Sequence, residues 1–318
     1  ICICGSDKKA KFCCLVNSGK KWFKKPHMME IFPTTDIKIN KCYASSLSNC
    51  NGKLSLEHYI SDCLLKYLSD NEKSISIAGT KFSYKKYENF PIKSLASKVL
   101  CERHNNSLNH FDSEALNFIK IIDEIDKNFV NRIHSNIDYV FSGHDLERWL
   151  LKTCFAFSKG VLNNEYDIDN IYLTHLYNNE WFKDGTGMYI NCSSQFHHFS
   201  SVNFIPRIHE SGKLGIAEFN LSNIQILLVL DNKAPIHKLY PDINFMYRPN
   251  GICFKKDSII NNINISWINP PHNNGIFFDY VGSTDKEPCN WQEYEKQLKP
   301  LQIRNSRQLI IFNLSFNF

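Results

Sequence analysis

No stretch of this chain approaches the ~18 uninterrupted apolar residues of a membrane-spanning helix; Ile224 to Leu230, IQILLVL, has the length of a buried strand. That absence excludes helical membrane passage, and no membrane partner is expected. The start has no apolar segment of secretory type and is at once rich in Cys and Lys, so a cytoplasmic protein with reduced thiols is expected. No internal repeat or low-complexity tract occurs, which excludes a solenoid. Gly185 and Gly187 lack the Gly-Lys-Ser/Thr ending of a phosphate loop, which argues against nucleotide binding of that kind.

What the chain does contain is cysteine, twelve among 318 residues. In a reducing compartment, clustered cysteines read as metal sites. The opening CICGSDKKAKFCC places Cys2 and Cys4 before a Gly-Ser turn and Cys13 and Cys14 after a short return. Two close thiol pairs of this kind supply the four soft ligands of tetrahedral zinc. A piece this short buries too little apolar surface to fold alone, so the metal must supply the folding energy.

This arrangement resembles the SEC-C motif, a small zinc module of bacterial proteins, with Asp7 standing where glycine is usual. The resemblance implies a docking module for protein or ribosomal partners, with Cys2, Cys4, Cys13 and Cys14 as zinc ligands and no chemistry of its own. Formal net charge is only +5, yet Lys8, Lys9, Lys11, Lys20, Lys21, Lys24 and Lys25 crowd the first twenty-five residues with Asp7 as the one acid. Such a patch suits nucleic-acid phosphates through counterion release. A solvated lysine-rich tail is the competing reading.

A second set follows: Cys42 and Cys50, then Glu57-His58, then Cys101-Glu-Arg-His104-Asn105. Cys101 and His104 are spaced to reach one metal from a single helical turn. Adjacent Glu57 and His58 point to opposite sides of a strand. The set resembles an HNH nuclease on a treble-clef zinc scaffold. That resemblance implies structural zinc on Cys42, Cys50, Cys101 and His104, with His58 as general base. Glu57 and Asn105 would hold a catalytic Mg²⁺ or Mn²⁺ ion, and DNA or RNA would be the substrate. Seven residues separate Cys42 from Cys50 where the family has two, so either the knuckle is expanded or Cys42 is no ligand. An insertion is expected over Leu65 to Phe90. The plain alternative makes Glu57-His58 a strand-end pair whose imidazole forms a packing hydrogen bond, in a non-catalytic zinc protein that docks on nucleic acid, ribosome or protein.

Periodicity supplies the remainder. Ile60, Leu64, Leu65 and Leu68 mark one helical face, as do Ala115, Phe118, Ile119, Ile122 and Ile125. A further helix is expected from His144 to Ser158, with His144-Asp145 and Glu147-Arg148 forming caps and ion pairs. After Ile168, short aromatic and β-branched runs from IYLTHLY to QLIIFNLSF alternate with Gly, Pro and Asn turns, the pattern of antiparallel sheet. The expected organisation is α+β: a zinc module over 1–16, a basic linker over 17–39, an HNH-like treble-clef (ββα-metal) domain with helical extension over 40–130, and a mainly antiparallel β-rich half over 131–318. His175, His197, His198 and His209 read as scattered surface histidines. Cys63, Cys154, Cys192, Cys253 and Cys289 read as buried free thiols.

Overall fold

The computed structural model describes residues 1–19, 21–78, 88–133, 137–161, 166–183, 185–193, 195–198, 201–234, 236–271, 273–283 and 309–312. Among the described residues six α-helices occur: α1 Asp62–Leu68, α2 Glu102–Ser107, α3 Asn109–Val130, α4 Gly143–Ala156, α5 Ile171–Tyr177 and the short α6 Ile236–Leu239. Among the described residues, no helix is long and apolar enough to cross a membrane.

The stripe read on α3 is fully buried, and Phe111 and Phe129 extend it at either end. Each such side chain contributes about 1.5–3 kcal/mol of burial. The α1 face is buried likewise at Ile60, Leu64, Leu65 and Leu68. Helix α4 begins with Ser142 Oγ accepting from Asp145 N–H at 3.2 Å and is buried on every side, polar residues included. A helix buried all round needs partners for its charges, and it has them. Glu147 pairs with Arg248 at 2.8 Å, and Arg148 stands 3.8 Å from Asp145.

Two sheets flank these helices. The larger has eight strands, and its pairings are antiparallel except where Leu309–Phe312 lies parallel between Ser201–Ile208 and Ser74–Ala78. The strands Ser74–Ala78 and Glu88–Pro91 from the expected insertion join the edge of this sheet. The smaller sheet has five strands, ordered Ile137–Ser142, Ile259–Ser266, Gly251–Lys256, Ile276–Ser283 and Gln195–His198. Only its Gly251–Lys256/Ile259–Ser266 pair is antiparallel; the other three pairings are parallel. The α+β class therefore holds, while the smaller sheet departs from the antiparallel expectation. Parallel neighbours come from distant crossovers, which no local turn signal records.

IYLTHLY is a further correction, because Ile171–Tyr177 is helical. Leu173, Leu176 and Tyr177 bury against the core at helical spacing, and that packing overrides their strand-like composition. Two histidines read as surface residues are buried: His175, and His198 between Asp123 and Asp126 of α3 at 2.7 and 3.4 Å. Cys154 is fully buried, Cys63, Cys192 and Cys253 are half-buried, and Cys289 lies outside the described residues.

The basic stretch after residue 16 is laid along the core. Lys24 N–H donates to Ser266 Oγ at 3.1 Å, His27 N–H to Asp145 at 3.0 Å, and Met29 N–H to Asn179 Oδ1 at 2.6 Å. One continuous apolar cluster runs from Met29 to Tyr280 and includes Cys42, Cys50 and Cys101.

Candidate metal centres

Cys2, Cys4, Cys13 and Cys14 bring their sulfurs within 4.8 Å of one another. Cys4 and Cys13 are 3.4 Å apart, Cys13 and Cys14 3.6 Å. A zinc ion with ~2.3 Å bonds to sulfur needs tetrahedral edges of roughly 3.8 Å, so the set fits zinc. The chain turns back through Gly5 at φ +76° and Asp7 at φ +55°. Both are left-handed, the first free for glycine and the second tolerated by aspartate. A two-stranded hairpin, Leu15–Val16 with Lys21–Trp22, closes the module. Its base, Cys2 and Cys14 with Trp22, packs on Val140 of the smaller sheet.

The second set comes together equally well. Cys42, Cys50, Cys101 and His104 place one ligand atom each within 4.8 Å, all four residues buried. His104 Nδ1 lies 3.4 Å from Cys42 Sγ, 3.9 Å from Cys50 Sγ and 3.2 Å from Cys101 Sγ. Cys101 is the N-cap of α2, which puts His104 in the same first turn. The long Cys42–Cys50 interval is a loop holding a 3₁₀ turn at Ser45–Leu47 and a left-handed Ser48. The loop is expanded, and Cys42 keeps its place in the set. Strands Leu54–His58 and Ala96–Cys101 pair antiparallel and lead directly into α2.

One supporting residue carries no spacing signal. Asn49 Oδ1 lies 2.8 Å from His104 Nε2, so Nε2–H donates to it and Nδ1 keeps its lone pair for the metal. Burial, with the Arg103 charge, holds the imidazole at about 4, neutral as a ligand must be. Cys101 N–H points at Cys42 Sγ at 3.4 Å, a donor that suits thiolate.

The three residues expected to do chemistry have other surroundings. Glu57 is buried, with Oε1 2.9 Å from Lys152 Nζ of α4. Lys152 also reaches Asp112 at 2.5 Å; Asp112 accepts from Ser61 Oγ, and Ser61 accepts from Trp149 Nε1 at 2.7 Å. Burial works to lower the Lys152 pKa, but Glu57 and Asp112 overcome it and hold the ammonium above its ordinary value. Burial raises the Glu57 carboxyl, and Lys152 offsets part of that rise. His58 is half-buried, its Nε2 3.6 Å from Asp62; burial lowers its pKa, with Asp62 pulling the other way. Asn105 Nδ2 donates to Ser55 Oγ at 3.0 Å and to the Leu56 carbonyl at 2.9 Å, tying α2 to the hairpin. Glu57 and Asn105 thus turn to different partners.

Of the basic patch, Lys8, Lys9, Lys11, Lys21 and Lys25 are exposed. Lys24 turns inward, 2.5 Å from Glu114, and Lys20 lies outside the described residues. Comparison with protein-family models, curated proteins and solved structures gives no match.

Proposed function

We propose that this chain is a non-catalytic binding protein built on two structural zinc ions, one on each cysteine set. The observation that carries this reading is Glu57. Its carboxylate is buried against Lys152 and Asp112, where it braces the hairpin to α4 and offers nothing to a solvent-open catalytic cation. Asn105 has a structural use as well, its Nδ2 tying α2 to the strand through Ser55 Oγ and the Leu56 carbonyl. The loop, hairpin and helix that hold Cys42, Cys50, Cys101 and His104 resemble a treble clef, and the first module resembles SEC-C; both serve as docking scaffolds.

A second reading, an HNH-type endonuclease, draws support from His58. Its imidazole is partly accessible, and burial lowers its pKa, the direction that favours a general base. The test uses zinc-loaded full-length protein with single- and double-stranded DNA and RNA in Mg²⁺, Mn²⁺ or Ni²⁺. The binding reading expects no cleavage above that of His58→Ala. Metal-dependent cleavage that His58→Ala lowers by ~10²–10⁴-fold, with zinc content intact, would establish the nuclease instead.

A further inference from the structure

The solvent face of the smaller sheet carries a groove of ≈ 340 Å³ that neither zinc set uses. Neighbouring strands place Asp138, Asn262, Cys253 and Phe277 side by side across it. Two of its lining residues are glycines whose neighbours leave little room for a side chain. A Cβ on Gly251 would come 2.8 Å from the Ile263 carbonyl, and one on Gly275 would press on the Gly251 carbonyl. Two aromatic rings line the groove, Trp22 and Phe277. Phe277 is 74 % exposed, a large apolar cost in a side chain with no fold to support. Amides complete the lining, with orientations that are already fixed. Asn262 Nδ2 donates to Asp138 at 2.9 Å, Asn264 Nδ2 to the Tyr139 carbonyl at 3.0 Å, and Asn250 Nδ2 to Asn273 at 2.9 Å.

Trp22 links this groove to the basic module. It belongs at once to the groove lining and to the cluster that seats Cys2 and Cys14 on Val140. The zinc module that Trp22 joins to the groove also carries the exposed Lys8, Lys9, Lys11 and Lys21.

We infer that this surface binds single-stranded nucleic acid. Bases stack on Phe277 and Trp22, amides meet base edges, and the lysines of the zinc hairpin hold phosphates. Exposed rings can stack on the free faces of single-stranded bases, whereas a duplex keeps its base faces stacked inside. Asp138 within the groove suits an amino group on a base edge. The inference rests on the binding reading above and names its partner.

The experiment measures fluorescence anisotropy of labelled RNA and DNA oligomers of about twelve nucleotides, a length within the span of such sites, with the zinc-loaded full chain. Single strands of either kind are expected to bind more tightly than the matching duplex. Phe277→Ala should weaken binding about tenfold, the loss of one stacked base, with the melting curve unchanged. Joint replacement of Lys8, Lys9 and Lys11 by Glu should lower the salt slope by about 2, at ~0.7 per phosphate contact on a single strand. Ile171→Ala, an exposed apolar change on α5, should leave affinity unchanged. Binding that ignores Phe277→Ala overturns the groove, and so does an absence of binding to every oligomer; in both cases a docking role is left standing. Cleavage of the oligomers that depends on His58 is the separate result that overturns the binding reading itself.

Discussion

Cys101→Ser is expected to give a protein with no cooperative melting transition, whereas Cys4→Ser should stay folded and lose only one zinc ion. The contrast follows from where the two sets lie. Cys42, Cys50 and Cys101 belong to the main apolar cluster, which also contains the stripe of α3. Cys2 and Cys14 form a separate small cluster on Val140. A structural zinc site contributes about 10–16 kcal/mol of apparent binding energy in small modules, against a net stability of about 5–15 kcal/mol for a whole domain. Losing the buried set thus exceeds what the remaining fold can offset. Three orphaned ligands would also remain in the core beside Asn49, which loses a fixed partner on His104. Elemental analysis and calorimetry on both variants check this. A Cys101→Ser protein that melts like the parent would show that the core does not depend on the metal.

Lys152→Met should cost about 3–5 kcal/mol, because it leaves two buried or half-buried carboxylates, Glu57 and Asp112, without their shared cation. Adding Glu57→Gln should recover part of that loss, since the most deeply buried charge is then gone. The parent also gains a pH signature. Lys152 has a folded pKa raised above its ordinary 10.5. Its stabilisation is therefore fully present below about pH 10.5 and is lost as pH rises through the higher folded value. Lys152→Met should lack that alkaline decline. Denaturant titrations between neutral pH and pH 11 read both effects; a neutral-pH change under about 1 kcal/mol would show that the pair is a surface-like contact.

The parts of this protein that were legible in the sequence are those governed by short spacings. The α3 stripe, the α1 face, the first ligand set and the Cys101/His104 pair of the second depend on residues a turn or a hairpin apart, and each is found as the spacing requires. The expanded Cys42–Cys50 loop kept its ligands because Ser48 adopts a left-handed conformation and turns the chain back. Partners brought from afar were not legible. Nothing near Glu57 announces Lys152, which arrives on α4, and the Glu57-His58 dipeptide alone fits a catalytic pair as well as a structural one. Asn49 looks like any loop asparagine until His104 is placed against it. His198 resembled a surface residue because its two aspartates come from α3. The parallel pairings of the smaller sheet were hidden for the same reason: each joins strands separated by long crossovers.

The central claim is that both cysteine sets hold structural zinc, and X-ray absorption at the zinc edge of the full-length protein tests it most directly. The account predicts two zinc ions per chain, surrounded by seven sulfur neighbours and one nitrogen, four sulfurs from the first set and three with His104 from the second. Bond lengths should cluster near ~2.3 Å for sulfur and ~2.0 Å for nitrogen. A single zinc per chain, or a first shell rich in oxygen, would contradict it.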